Sequence, residues 1–321
     1  MKILFEHNGI LPIKRYGGTE RIIYWLMKDL VKRGHKVYLI ANSASDVKQH
    51  GIELIPRTSD DWRRLIPSVV DIVHLFSPTN FELDCPYLLT VEGNGQEGEA
   101  YPKNTVFVSK KHAQNHASLA YVYNGIDLDE YPYRKGTTKN WKNFLFLAKA
   151  KWKVKNLKDC IKVCRKNNKH LHVAGGRVFT FSRYIHSYGM VDQVRKLELL
   201  RRTDALLFPV RWHEPFGIAI IEAMALGLPV IGSPYGSLPE LIKRGTGIIC
   251  NNYDEFVEAV SDDNNRFRPD EIRNYVENNF SIQKMADDYM LYYDKVIKGK
   301  KINRILPTNV TGNPPETLLP F

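Results

Sequence analysis

An α/β protein of two doubly wound parallel-sheet domains is what this chain of 321 residues predicts, on three observations. Short apolar runs without polar alternation recur along it, KILFEH, KVYLIAN, DIVHLFS, FLFLAKA and ALLFPV among them, as strands covered on both faces require. Helical or irregular stretches separate these runs, the pattern of parallel strands joined by crossovers. The pattern then lapses once, in YNGIDLDEYPYRKGTTKN, where Asn124-Gly125 followed by Asp127 makes a turn and the sequence after Pro132 is polar and without period. The length accommodates two ordinary domains, placed at residues 1–135 and 141–280, followed by a closing helix at 281–298 and a tail at 299–321.

KILFEH opens the first domain. Thr19 can cap a helix from about Glu20 to Arg33 that carries Ile22, Ile23, Leu26 and Leu30 inward and stops at Gly34. Gly17 and Gly18 stand just before that start, where glycine serves either a tight turn or a close approach of backbone to a ligand. KVYLIAN, IELIP, DIVHLFS, YLLTVEG, TVFVS and YVYNG continue as strands. His74 within DIVHLFS reads as a core histidine. His112 and His116 have helical i,i+4 spacing with no third ligand near them, so they read as a solvated helix face rather than a metal site. The loop after YLLT carries Glu92, Asn94, Glu97 and Glu99 and has the composition of a surface turn.

FLFLAKA opens the second domain, followed by a loop with Lys149, Lys151, Lys153 and Lys155 that suits either a diphosphate clamp or a solvated face. HLHVAGG ends its strand on Gly175 and Gly176, and a helix from Gln193 to Arg202 leads into ALLFPVRWHEPFGIAIIEAMALGLPVIGSP. That stretch organises the rest. ALLFPV is a buried strand, Pro215 and Gly217 break it, a helix starts at Ile218 and stops at Gly227 before Pro229, and PVIGSP resumes the sheet. In an open parallel sheet the loop leaving a strand's carboxyl end and the next helix start form a ligand crevice, and amides there suit a phosphate. Glu214 and Glu222, with seven residues between them, bracket the turn. The pair can straddle a ligand, since a carboxylate accepts both hydroxyls of a cis-diol such as ribose, or it can be two surface glutamates. PYGSLPELI, with Glu240 structural, and GIIC complete the sheet. In the closing helix Ile282, Met285, Tyr289, Tyr292 and Val296 fall in step, and the tail, with Pro307, Pro314, Pro315 and Pro320, reads as disordered or extended.

A net charge of +11 favours anionic partners: nucleotide phosphates, nucleic acid or an acidic membrane surface. A basic ribbon interleaved with aromatics is missing, which argues against nucleic acid. The four cysteines show no C-x-x-C spacing, so a disulfide framework or zinc site is not expected. No apolar run has transmembrane length and no signal peptide is visible, which points to the cytoplasm. A G-x-G-x-x-G fingerprint is absent and no divalent-ion site is read, so neither a dinucleotide cofactor nor a metal is expected.

The segment HEPFGIAIIEAMALGLPVI closely resembles the donor-site signature of the family 4 retaining glycosyltransferases: both glutamates, the Phe-Gly between them, the EAMA helix and the G-x-PVI strand occur in register. The resemblance is strong from Thr203 to Gly236 and extends in architecture from Met1 to Gly299. It implies the GT-B fold, two Rossmann-like domains facing across a cleft. It also implies that Glu214 faces the donor sugar beside the Phe216 and Gly217 backbone and the helix start at Ile218, and that Glu222 holds the nucleotide ribose. Val191, in a segment resembling the family's G-x-V, would lie beside the base. Gly17 and Gly18 would approach the donor diphosphate, and His74 would line the acceptor side. Relatives neutralise the leaving diphosphate with Gly-Arg and Lys-Gly pairs; Lys149 and Lys155 are the nearest matches, with Ala148 and Asn156 in place of the glycines. Where the family has His in a T-x-H-G pattern this chain has Glu92, expected to hydrogen-bond a donor hydroxyl.

The activity implied is retaining transfer of a sugar from a UDP-sugar or GDP-sugar to the hydroxyl of a saccharide or lipid-linked acceptor, in bacterial-type polysaccharide or glycolipid biosynthesis. No cofactor and no metal would take part. The enzyme would be cytoplasmic, in peripheral contact with the anionic inner face of the membrane. Two rivals stand beside it: a nucleotide-sugar epimerase, which would convert the donor without an acceptor, and a basic RNA- or lipid-binding protein, marked by salt-dependent binding without sugar-nucleotide affinity.

Overall fold

The computed structural model describes residues 1–13, 17–133, 141–262, 266–312, 314 and 316–321, and the chain divides into two compact units. One comprises Met1–Ile13, Gly17–Ile126 and Ile282–Gly312; the other comprises Asp127–Ser281 and Asn313–Phe321. The division falls between Ile126 and Asp127, in the stretch 123–140 that separates the expected domains 1–135 and 141–280; residues 134–140 lie outside the described residues.

The first unit contains β1 (Lys2–Glu6), α1 (Gly18–Lys32), β2 (Lys36–Ala41), β3 (Ile52–Pro56), β4 (Ile72–Leu75), β5 (Tyr87–Val91), β6 (Thr105–Phe107) and α2 (Lys110–Asn115). Its sheet has the order β3-β2-β1-β4-β5-β6, every pair parallel. The apolar runs form these strands because both faces are covered, and Ile3, Leu4 and Phe5 are wholly buried. α1 begins two residues earlier than the capping pattern suggests: Gly17 is the N-cap with no side-chain cap, and Thr19 lies within the first turn. YVYNG adds no strand to the sheet, only a bridge between Phe107 and Tyr121.

The second unit contains β7 (Asn143–Leu147), α3 (Leu157–Lys166), β8 (His170–Ala174), β9 (Ile185–Gly189), α4 (Gln193–Arg202), β10 (Ala205–Phe208), α5 (Ile218–Ala225), β11 (Val230–Gly232), α6 (Leu238–Leu241), β12 (Gly247–Ile249), α7 (Tyr253–Ser261) and α8 (Pro269–Asn279). Its parallel sheet runs β12-β11-β10-β7-β8-β9. Counted from the first strand of each unit, both sheets have the order 3-2-1-4-5-6. The chain direction across the sheet reverses between β1 and β4 in one and between β7 and β10 in the other, and such reversals open a crevice at the carboxyl ends of the strands.

The chain then returns to the first unit as α9 (Ile282–Ile297), which packs against α1, β4 and β5. Its buried face includes Tyr293 rather than the expected Tyr292, which is only half-buried. The tail, expected to be disordered or extended, is extended and bonded. Asn303 Nδ2 donates to Lys103 O and Thr105 O at 3.0 and 2.7 Å, and Asn309 Nδ2 donates to Gly95 O at 2.6 Å. Backbone pairing with residues 98–116 supplies what the composition lacks in apolar area. Asn309, the first letter of a glycosylation triplet, is buried.

Candidate active site

In the second unit, the loops after β7 and β10 leave the sheet at its reversal and are stitched together. Arg211 N donates to Val154 O at 2.7 Å and Asn156 Nδ2 donates to Pro209 O at 3.1 Å. Asn156 occupies the left-handed region, φ +57°, so it adopts the conformation that a glycine would take at this point; asparagine does so more readily than most residues. The turn at Gly175 and Gly176 lies against the start of the lysine loop, where a Cβ on Gly175 would fall 2.0 Å from Ala148 O. The loop after β11 supports the loop after β10. Ser233 Oγ donates to Val210 O at 2.5 Å, Ser237 N to Glu214 O at 3.0 Å, and Ser237 Oγ to Phe216 O at 2.6 Å. Gly236, φ +62°, has no room for a side chain, since its Cβ would lie 2.3 Å from both Glu214 N and O.

Glu214 is thereby held at the carboxyl end of β10 with its side chain buried. Its Oε2 accepts Lys155 Nζ and Trp212 Nε1, each at 2.6 Å, and no described residue donates to its Oε1. The Lys155 ammonium sits 4.6 Å from the centre of the Trp212 ring and 5.5 Å from those of Trp152 and Phe208, so aromatic faces share in solvating a buried cation. Lys149 is exposed, with Nζ 5.1 Å from the Trp152 ring centre. Gly217, φ +93°, is the N-cap of α5, and Ile218 opens the helix, where unpaired amides of a first turn suit an anion. Phe216 packs edge-on against Phe280.

Glu222 lies on α5 and is also buried. Its Oε1 accepts Tyr131 OH at 2.5 Å and pairs with Lys196 Nζ, which also donates to Tyr131 OH at 3.1 Å. Arg273 of α8 locks this corner by donating to Tyr131 O at 2.7 Å and Ala225 O at 2.8 Å. Val191 is half-buried in the turn between β9 and α4, near Gly189, whose carbonyl accepts Gly175 N at 2.8 Å. Asp127 and Asp129 have Asp-x-Asp spacing, but Asp127 Oδ1 accepts Asp129 N at 3.3 Å as a turn cap. Among the described residues no group of three or more His, Cys, Asp or Glu side chains is placed to hold a metal ion.

Sequence reasoning passed over Tyr131, Lys196, Trp152 and Trp212. Lys196 did leave a signal: it falls in phase with the buried Leu199 and Leu200 on α4, where a lysine needs a partner. The others left none, because a lone aromatic in a loop has no period.

In the first unit, Glu92 follows β5. Its Oε2 accepts Asn124 Nδ2 at 2.9 Å, while Oε1 is shut off from solvent without a partner. Desolvation raises its pKa to about 7, against the Asn124 hydrogen bond and with a further push from the charge of Glu20. Gly17 and Gly18 open α1, the helix that carries Glu20, and a Cβ on Gly17 would fall 2.5 Å from both Glu20 Oε2 and Ile13 Cδ1. His7, just past β1, has a pKa lowered by burial and partly restored by Glu20.

One histidine meets its reading from the sequence and two depart from it. His74 is wholly buried, as a core histidine is expected to be. Its Nδ1 shares a 2.6 Å hydrogen bond with Tyr293 OH and its Nε2 a 2.8 Å bond with Thr90 Oγ1, so it fastens α9 to the sheet. His112 and His116, expected on a solvated face, are buried and ring-packed, with His116 stacked on Phe107 at 4.5 Å between centroids.

Residues 129–263 match the family described as "Glycosyl transferases group 1". The chain is 27% identical over 205 residues to the N-acetyl-alpha-D-glucosaminyl L-malate synthase of Bacillus anthracis, a match covering 57% of this chain and 53% of that protein. It is 34% identical over 112 residues to an uncharacterized 41.2 kDa protein in the cps region of Klebsiella pneumoniae, covering 33% and 31% respectively. The matched portions thus span about a third to a half of these relatives' lengths. The fold is that of AviGT4, a glycosyltransferase involved in avilamycin A biosynthesis (TM-score 0.74, 18% identity, 93% of this chain and 98% of that one). The sucrose-phosphate synthase of Thermosynechococcus elongatus shares it too (TM-score 0.69, 14% identity, 93% and 100%). These likenesses bear out the two-domain GT-B fold that the signature implies. Family match, strand order and the two glutamates around the start of α5 converge: over residues 129–263 the second unit of this chain is similar to the glycosyl transferases group 1 family.

Proposed function

We propose that the protein is a retaining glycosyltransferase that moves a sugar from a nucleoside diphosphate sugar, UDP- or GDP-linked, to the hydroxyl of a saccharide or lipid-linked acceptor. The observation that carries this reading is the buried Glu214, tied through Oε2 to Lys155 and Trp212 so that Oε1 remains for a ligand beside the start of α5. In the reaction the bond from the anomeric carbon to the diphosphate breaks, the acceptor oxygen bonds to that carbon, and the acceptor proton passes to the departing phosphate oxygen or to a carboxylate. Negative charge grows on the leaving diphosphate, and the α5 amides with the cationic loop after β7 are the groups suited to meet it without a metal. Glu222, with Tyr131 and Lys196 fixing one oxygen, would present its carboxylate to the ribose. Glu92, holding or yielding a proton near neutral pH, would bond a donor hydroxyl. A structure of Anabaena HepE with UDP and glucose shares the fold (TM-score 0.65, 16% identity, 92% of this chain and 100% of that one), which supports the choice of nucleotide.

The reading extends to polysaccharide or glycolipid synthesis in the cytoplasm, with the enzyme in peripheral contact with anionic membrane. Phe179 and Phe181 are fully exposed in the β8–β9 connection, bracketed by the exposed Arg177 and Arg183, a pairing of apolar and basic groups that suits an anionic interface. Among the described residues no helix is long and apolar enough to cross a membrane.

The test is a thermal-shift panel of UDP, GDP, ADP and their common sugars, with Glu222→Ala alongside and a chelator in one arm. A nucleotide that stabilises the parent, fails on the variant and is indifferent to chelation supports the proposal. No stabilisation at millimolar concentration would overturn it. Flotation with anionic and zwitterionic vesicles, comparing the parent with Phe179→Ser/Phe181→Ser, decides the membrane contact.

A further inference from the structure

The last stretch of the chain lies on the second unit and touches three of the loops that carry the candidate site. Trp152 Nε1, in the loop after β7, donates to Glu316 Oε1 at 2.8 Å. Arg211, after β10, is held twice: its carbonyl accepts Leu319 N at 2.8 Å and its Nε donates to Leu319 O at 2.6 Å. Tyr235 OH, after β11, donates to Pro320 O. Phe321 packs edge-on against Phe256 of α7, 5.6 Å between ring centres. Thr317, Leu319 and Phe321 are half-buried while Glu316, Leu318 and Pro320 are exposed, the alternation of an extended strand laid on a surface.

The anchored residues hold the site at their other ends. Trp152 and Trp212 pack 5.1 Å apart with the Lys155 ammonium against both rings, and Trp212 and Lys155 both bond Glu214 Oε2. Arg211, caught by Leu319, is the residue whose amide joins the two loops at Val154. Loops left without such ties sample more geometries, and a ligand must then meet the cost of ordering them.

We propose that residues 316–321 form a positioning strap: by fixing Trp152 and Arg211 they set the geometry in which Lys155 and Trp212 present Glu214, and donor affinity depends on them. This rests on the reading of the site as a nucleotide-sugar site.

The experiment compares the full chain, a form ending at Gly312, and that form supplied with the peptide Asn-Pro-Pro-Glu-Thr-Leu-Leu-Pro-Phe. Tryptophan emission and the affinities for UDP, GDP and ADP are read for each. The shortened protein is expected to keep its far-ultraviolet dichroism, shift its emission, and bind the preferred nucleotide at least tenfold more weakly, with the peptide restoring emission and affinity together. Should the shortened form not fold, Glu316→Ala/Leu319→Pro in the full chain removes two anchors and is expected to show the same two changes. Parent-like emission and affinity in either altered form, or a peptide without effect, would overturn the strap. If the parent binds none of the three nucleotides the donor reading fails, and the docking of the strap is then decided by emission and peptide titration alone.

Discussion

Lys155 Nζ lies 2.6 Å from Glu214 Oε2, and both side chains are under 10% exposed. Two charges removed from water are tolerated only when they are paired, and here an indole N–H on the same carboxylate oxygen and three aromatic faces around the ammonium add to the pair, leaving Oε1 open. Because both donors take the same oxygen, the carboxylate cannot turn.

Removing one partner should therefore cost far more than removing both. Lys155→Met is expected to lower unfolding free energy by about 3–5 kcal/mol, and Lys155→Met/Glu214→Gln to recover most of it. Urea unfolding of the two variants measures the difference; equal losses would mean that the pair is not coupled.

At the other glutamate, Tyr131→Phe deletes a hydrogen bond to a charged group and leaves the Lys196 pair intact. A loss of about 1.5–3 kcal/mol in stability is expected, with weaker nucleotide binding. Lys196→Met strands the Glu222 carboxylate and should weaken both by more. Calorimetric titration and melting curves check the ranking.

Glu92 predicts a pH dependence. Its folded-state pKa, about 7, exceeds the ordinary 4.5, so the folded state holds the proton more tightly than the unfolded one. That contribution is fully present below about pH 4.5 and is lost as pH rises to about 7, amounting at most to about 3 kcal/mol. Glu92→Gln should abolish this slope in urea midpoints taken from pH 4 to 8. Glu92→Ala should also change turnover and sugar preference.

His74 acts in the opposite sense. Burial depresses its pKa from 6.5 to about 3, so its contribution is present above pH 6.5 and lost as pH falls toward 3. In a Glu92→Gln background the acid limb should remain, and His74→Gln should flatten it.

Asn156→Gly and Asn156→Ala both lose the bond to Pro209, but only the alanine is strained by the left-handed conformation, so it should cost about 1–2 kcal/mol more than the glycine. Melting temperatures separate the two.

Apolar runs and their punctuation determined the two parallel sheets, the α5 turn and the placement of Glu214, Gly217 and Glu222, because strand burial and helix starts are set by residues close in the chain. Partners were not legible in that way. Tyr131 meets Glu222 across 91 residues, and Trp152 meets Glu316 across 164. The tail lacks the apolar area to order itself and is ordered by backbone pairing on surfaces formed elsewhere. His112 and His116 follow the same rule: a histidine's spacing is local, but whether its ring faces solvent depends on what packs over it. Strands, helix starts and the donor-site signature are written locally in the chain. Which charges are paired, which rings are buried and where the tail lies follow from long-range packing, because no local period encodes those contacts.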